Sequence, residues 1–154
     1  MATFDQLVPV GKKFASPART IGDGDFAQLH NLTWTTNDIH TDQELMRQTQ
    51  FGERLLAGVC TLACMEGLEL AGGFRDVLYG EHTRPVAHLG FEEIRFTAPV
   101  KPGDTIRVES EVLSIRPSSK NPRRGVLRVG IEVLNQRGQQ VMKGTEVQLL
   151  ELTD

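Results

Sequence analysis

The stretch from Gly58 to Gly73 limits the fold of this chain more than any other. Gly58 opens V-C-T-L-A-C-M-E-G-L-E-L-A, a run of good helix formers that closes on Gly72-Gly73. The paired glycines predict a left-handed C-terminal cap. Apolar side chains occupy almost every face of this helix, which requires burial on most sides. A helix of that kind needs a wrapper.

The second half of the chain supplies one. From about Val86 the hydrophobic period changes from helical to alternating. Phe91, Ile94 and Phe96 lead into the turn formers Pro99, Pro102, Gly103 and Asp104. Ile106, Val108 and Val112 then alternate with Arg107, Glu109 and Glu111. Val129, Ile131 and Val133 do the same up to a turn at Gln136-Arg137-Gly138. Val141 to Leu152 makes a last strand, with Val147 and Leu149 two apart. Strands joined by short turns pair antiparallel. One enclosed helix followed by an antiparallel meander makes an α+β chain; periodicity alone fits an α+β sandwich equally well.

Composition enters as a set of exclusions. At 154 residues, without repeat, low-complexity tract or linker, residues 1–154 are expected to form one domain. With 17 basic and 20 acidic side chains the net charge is −3, which gives no electrostatic case for nucleic acid or an anionic membrane as partner. Met1 to Phe14 lacks the apolar core of a signal peptide, and Glu66 and Glu69 interrupt the apolar stretch Leu55 to Ala71, so no membrane span is expected. Cys60 and Cys64 sit one helical turn apart. That spacing suits a disulfide poorly, and no second Cys or His pair completes a zinc site, so both read as small buried residues and no metal is expected. A cytoplasmic location is the default these features leave.

The first third reads as short elements. Arg19-Thr20-Ile21 forms a brief strand, and Asp23 or Asp25 caps a helix to about Leu32. Thr33 to Asp38 is a polar turn region. Thr41 or Asp42 then caps a short helix, Gln43 to about Gln48.

Three stretches in order carry a resemblance to a known family. Trp34 to Asp42 reads W-T-T-N-D-I-H-T-D, Thr49 to Gly58 reads T-Q-F-G-E-R-L-L-A-G, and Phe96 to Thr105 reads F-T-A-P-V-K-P-G-D-T. Together, with eighteen residues from His40 to Gly58, they resemble the MaoC-like hydratases, which include the R-specific enoyl-CoA hydratases. The resemblance implies a hotdog fold, an antiparallel sheet wrapped around a central helix, assembled as a homodimer or higher homo-oligomer. It implies an acyl-CoA or related acyl thioester as partner, on coenzyme A or acyl carrier protein. Coenzyme A then enters as part of the substrate, with no separate cofactor.

Adding water across an enoyl thioester needs a base for the water, a proton for the α-carbon and a donor for the carbonyl oxygen. In the family an Asp and a His hold the water, and an amide at the mouth of the central helix binds the carbonyl. The histidine maps to His40 and the amide to Gly58. Asn37 maps to an asparagine that shapes the turn. The family aspartate falls on Thr35, whose hydroxyl is no base at neutral pH without activation. The family proline is replaced by Asp38. Three readings follow. His40 acts alone with Thr35 orienting the water, or a displaced carboxylate (Asp38 or Glu66) substitutes, or the chain binds an acyl thioester without hydrating it.

Glu66, eight residues past Gly58, also has the spacing of the catalytic glutamate in one branch of hotdog thioesterases. Its bland reading is a structural hydrogen bond in a cleft or at the surface. Glu69 reads as an ordinary exposed or paired carboxylate, and His30, His82 and His88 as structural. Lys120, Arg123 and Arg124 lie in a basic loop between strands. They are candidates for the phosphates of coenzyme A, and equally for plain solvation.

Overall fold

The computed structural model describes residues 3–153; the expectations for Met1, Ala2 and Asp154 fall outside them. A one-turn helix α1 (Phe4–Leu7) precedes two short strands, β1 (Lys13–Ala15) and β2 (Arg19–Thr20). Three helices follow, α2 (Asp23–Thr33), α3 (Asp38–Thr41) and α4 (Gln43–Arg47). After the central helix α5 (Gly58–Ala71) and a short α6 (Arg75–Leu78) come four long strands: β3 (Thr83–Phe96), β4 (Thr105–Pro117), β5 (Arg124–Asn135) and β6 (Gln140–Leu152). All strand pairs are antiparallel, in the order β1-β4-β5-β6-β3, with β2 also on β4. The sheet wraps α5, as the hotdog resemblance implies.

The core lies between them. Cys60, Met65 and Leu68 of α5 are buried with Val108 and Val112 of β4 and Val129 and Ile131 of β5. The alternation read in β4 and β5 holds: Val108 faces Val133 and Val112 faces Val129 across the ladder. β6 is the expected last strand, and both its phases are buried near its middle: Val147 on one, Glu146, Gln148 and Leu150 on the other, so polar groups enter the interior there.

Other expectations need correction. Gly72 caps α5 in extended geometry, with φ −98° and ψ −171°, and not left-handed. Its glycine is required by crowding: a Cβ would stand 2.7 Å from the Ala15 carbonyl oxygen. Gly22 is the N-cap of α2, and Asp25 at the third position accepts from its N–H at 3.2 Å. Glu69 is neither exposed nor ordinary, since only 3% of it is accessible. On α5, Val59, Ala63, Gly67 and Ala71 form an exposed stripe at a spacing of four, leaving one face of the enclosed helix open in the single chain.

Candidate active site

His40 owes its position to α3, a one-turn helix that follows the polar turn region. Asn37 is the N-cap of α3, and its carbonyl accepts from the His40 N–H at 2.9 Å and from the Thr41 hydroxyl at 3.3 Å. Asp42 then caps α4, accepting from the Leu45 N–H at 2.8 Å. The His40 ring is held from the far side, with Nδ1 2.6 Å from the Leu55 carbonyl oxygen. A carbonyl only accepts, so Nδ1 carries the proton and Nε2 keeps its lone pair. That is the tautomer a general base needs.

The mouth of α5 is held by a second histidine. Ala57, the N-cap of α5, has no side chain able to cap. His30, brought in by α2 and 2% exposed, accepts the Ala57 N–H on Nε2 at 3.0 Å and donates from Nδ1 to the Phe26 carbonyl at 2.8 Å. Burial first, then the neighbouring His40, holds this imidazole below its ordinary value, which keeps it neutral and able to accept. The His30 and His40 rings stack with centroids 4.8 Å apart and planes 16° off parallel.

Gly58 follows directly. Among the described residues its N–H finds no acceptor, and it stands at the positive end of a helix of 14 residues. Glycine leaves the Phe96 ring where it is, since a Cβ would lie 2.6 to 2.9 Å from that ring and push it aside. His40 and Gly58 border one cavity of about 400 Å³, whose other walls are mostly apolar and include Phe51, Leu56, Phe96 and Val141. A base and an unpaired amide converge on an apolar slot, an arrangement suited to moving a proton beside a carbonyl while stabilising charge on its oxygen.

The other residues singled out in the sequence lie elsewhere. Thr35 does not border this cavity; its hydroxyl pairs with that of Thr33 at 2.7 Å and lies 4.0 Å from the Cys60 sulfur. Asn37 contributes its carbonyl, and its exposed side chain makes no hydrogen bond among the described residues; the same is true of Asp38. No carboxylate pairs with His40 among the described residues. Arg124 is paired with Glu151 at 3.1 Å, and Arg123 donates to the Leu152 carbonyl at 2.9 Å. Both contacts lie at the far end of β6 from Val141, roughly 30 Å along the strand at ~3.3 Å per residue. Lys120 shares that loop, so the basic loop and the His40 cavity of one chain stand at opposite ends of the sheet.

Glu66 lines a second cavity of about 300 Å³ with Glu69, His88 and Glu146. At ~1.5 Å per residue it is roughly 12 Å along α5 from Gly58. His88 is no lone surface histidine: Nδ1 is 3.3 Å from Glu66 Oε1 and Nε2 is 3.8 Å from Glu146 Oε1. Burial, with the Glu146 charge added, pushes the Glu66 carboxyl up. Glu69 is pushed up to about 10, by burial first and then by the neighbouring Glu146 carboxylate. No pattern in the sequence announced the roles of His30 or Glu146, since each acts across a long stretch of chain.

Known proteins place the chain. The family described as "MaoC like domain" matches residues 5–133. Protein MaoC of Klebsiella aerogenes is 32% identical over 68% of this chain, a match that spans only 29% of that protein. An (R)-specific enoyl-CoA hydratase of Rhodospirillum rubrum is 28% identical, over 69% of this chain and 67% of its own length. The unliganded structure of an R-hydratase from Pseudomonas aeruginosa superposes with a TM-score of 0.71 at 28% identity, covering 99% of this chain and 90% of that one. Among the described residues no helix is long and apolar enough to cross a membrane. A sheet closed around one helix, a histidine and an amide at that helix's mouth, and a family match across most of the chain lead to one assignment: the chain belongs to the MaoC-like dehydratase domain family of hotdog fold.

Proposed function

We propose that this chain is an acyl-thioester hydratase or dehydratase acting on an enoyl-CoA type substrate. His40 Nε2 takes the proton of the attacking water and returns one to the α-carbon, while the Gly58 N–H receives the charge that develops on the thioester oxygen. The observation that carries this reading is the shared cavity, with His40 locked by Leu55 in the tautomer that leaves Nε2 free. The apolar walls suit an acyl chain. Loss or gain of the enoyl-thioester absorbance with crotonyl-CoA and longer enoyl-CoAs tests it. Absence of turnover in both directions at every chain length rejects it.

The working unit in this reading is a homodimer or larger assembly. β3 is an edge strand, and the α5 stripe Val59, Ala63, Gly67 and Ala71 is uncovered. A partner laid against that side completes the cleft, and only a partner's Lys120, Arg123 and Arg124 could then approach coenzyme A phosphates. Sedimentation as a monomer of 17.1 kDa at micromolar concentration counts against it.

A second reading has one observation in its favour: no carboxylate stands beside His40 among the described residues. The chain would then bind acyl thioesters without hydrating them. Thr35→Asp separates the two. Under the hydratase reading the new carboxylate, placed where the family carries one, raises an existing turnover severalfold or more. Under the binding reading the parent is inactive while calorimetry still detects CoA esters. A thioesterase built on Glu66 draws no support within one chain, because Glu66 opens on the other cavity; unchanged thiol release in Glu66→Gln would dismiss it.

A further inference from the structure

The cluster on the second half of α5 has more acid than its surroundings can satisfy. One donor atom each from Glu66, His88 and Glu146 lies within 4.8 Å of the others. Glu146 is 2% exposed and accepts from the Gln148 side-chain amide on Oε1, yet its Oε2 has no partner. The Glu66 Oε1 and Glu69 Oε1 atoms are likewise buried without a hydrogen bond. Buried carboxylate oxygens are ordinarily satisfied, so a group nearly wholly inside the protein with a free oxygen facing a cavity calls for a ligand.

The obvious protein partner does not satisfy them. An imidazolium held between two carboxylates makes short, straight bonds of about 2.7–2.9 Å. Here the separations are 3.3 and 3.8 Å, and neither contact has the geometry of a hydrogen bond. Only one ring nitrogen can bind a given ion, and the 3.3 Å from His88 Nδ1 to Glu66 matches one edge of a tetrahedral shell, whose bonds of ~2.1 Å set donors about 3.4 Å apart. The backbone also aims His88 deliberately. It sits between two register shifts on β3, Pro85/Ala87 and His88/Gly90, with Gly90 at φ 134°; bulges of this kind redirect a side chain.

We propose that Glu66, His88 and Glu146 bind a divalent first-row transition-metal cation. An imidazole nitrogen beside two carboxylates favours this class over calcium or magnesium, which take oxygen ligands alone and more of them. Three protein donors from α5, β3 and β6 leave a position open to the 300 Å³ cavity, where water completes the shell. Glu69 lines the same cavity and stands outside the shell. The cation pins the second half of α5 to the sheet edge, and its binding does not depend on the hydratase reading.

The test uses the full chain without an affinity tag, treated with EDTA and dialysed. Calorimetry with Zn²⁺ and visible absorption with Co²⁺ are expected to give one equivalent per chain and a d–d band of nitrogen–oxygen coordination. His88→Gln and Glu146→Gln should each weaken binding by more than the roughly 10–100-fold that outer-shell groups are worth. Should either variant fail to fold, Co²⁺ broadening and shifting of the His88 ring protons in the unsubstituted protein gives the same answer. No saturable binding, or binding that leaves the His88 protons unmoved or both variants within threefold, overturns the proposal.

Discussion

Among the described residues, two imidazoles and no paired carboxylate stand at the N-terminal end of α5; farther along, Glu66 and Glu69 of the helix meet Glu146 and one imidazole. The first pair is fully assigned. His30 has one donor and one acceptor bond, and His40 is locked at Nδ1 with Nε2 left toward the cavity. The second group is under-satisfied, with a free oxygen on each of Glu66, Glu69 and Glu146. One end of the helix therefore has settled protons and a single open lone pair, which suits chemistry. The other has buried carboxyl oxygens without partners, which suits holding a cation.

The largest expected effect lies at the first end. His40→Gln should reduce hydratase turnover by about 10²–10⁴-fold, the usual contribution of a general acid–base group. The fold should survive, since His40 is only half-buried. Turnover within a few-fold of the parent would break the contrast between the two ends.

Next is the histidine behind it. His30→Phe fills the space but leaves the buried Ala57 N–H without an acceptor, at about 1–3 kcal/mol. Turnover should fall as well, because Ala57 sets the direction of the next amide, that of Gly58. The pH sign follows from its lowered value. The unfolded chain takes up a proton near the ordinary value of 6.5 while the folded one resists, so stability is lost as pH falls through that value toward the folded one. Chemical denaturation between pH 7.5 and 5 should show this slope in the parent and a weaker one in His30→Phe.

The far end should behave in the opposite sense. The folded Glu69 carboxyl, facing Glu66 and Glu146, keeps its proton up to about pH 10, whereas the unfolded one releases it near 4.5. Stability then falls as pH rises between those values, by at most about 1.4 kcal/mol per pH unit. In EDTA, Glu69→Gln should be more stable than the parent at pH 8 and equal to it near pH 4. Equal stability at both values would show that Glu69 is compensated by something other than its proton.

These contrasts also show what could be read from residue order. His40, Gly58 and the family turn were legible because they are close in sequence and tied to local geometry: a capped turn, a helix start, a tight approach. The strands were legible because one face is buried, so alternation was enforced through Val108, Val112, Val129 and Ile131. β6 was legible as a strand, but not that both its phases are buried, Val147 on one and Glu146 and Gln148 on the other. The acid cluster was invisible for a related reason. Its donors stand at 66, 88 and 146, and only the wrapping of β3 and β6 around α5 brings them together. Glu69 looked like a surface acid because a helix rich in small residues gives no sign of which turn faces the sheet.

The smallest effect asks whether Gly58 is constrained by its amide or by its neighbour. Ala at this position keeps the N–H, and the helix gains propensity. Its Cβ, however, meets the Phe96 ring at 2.6 Å. Phe96 is 52% exposed and can swing outward, so the stability cost should be at the low end of overpacking, about 1 kcal/mol. Turnover should drop by more than stability, because the displaced ring borders the cavity that holds His40. In the double variant Gly58→Ala with Phe96→Ala, the clash is gone and the amide remains, so turnover should recover toward that of Phe96→Ala alone. Lack of recovery would mean that position 58 needs glycine for close approach of the substrate itself, which would move the thioester carbonyl nearer to the helix than His40 and the amide alone require.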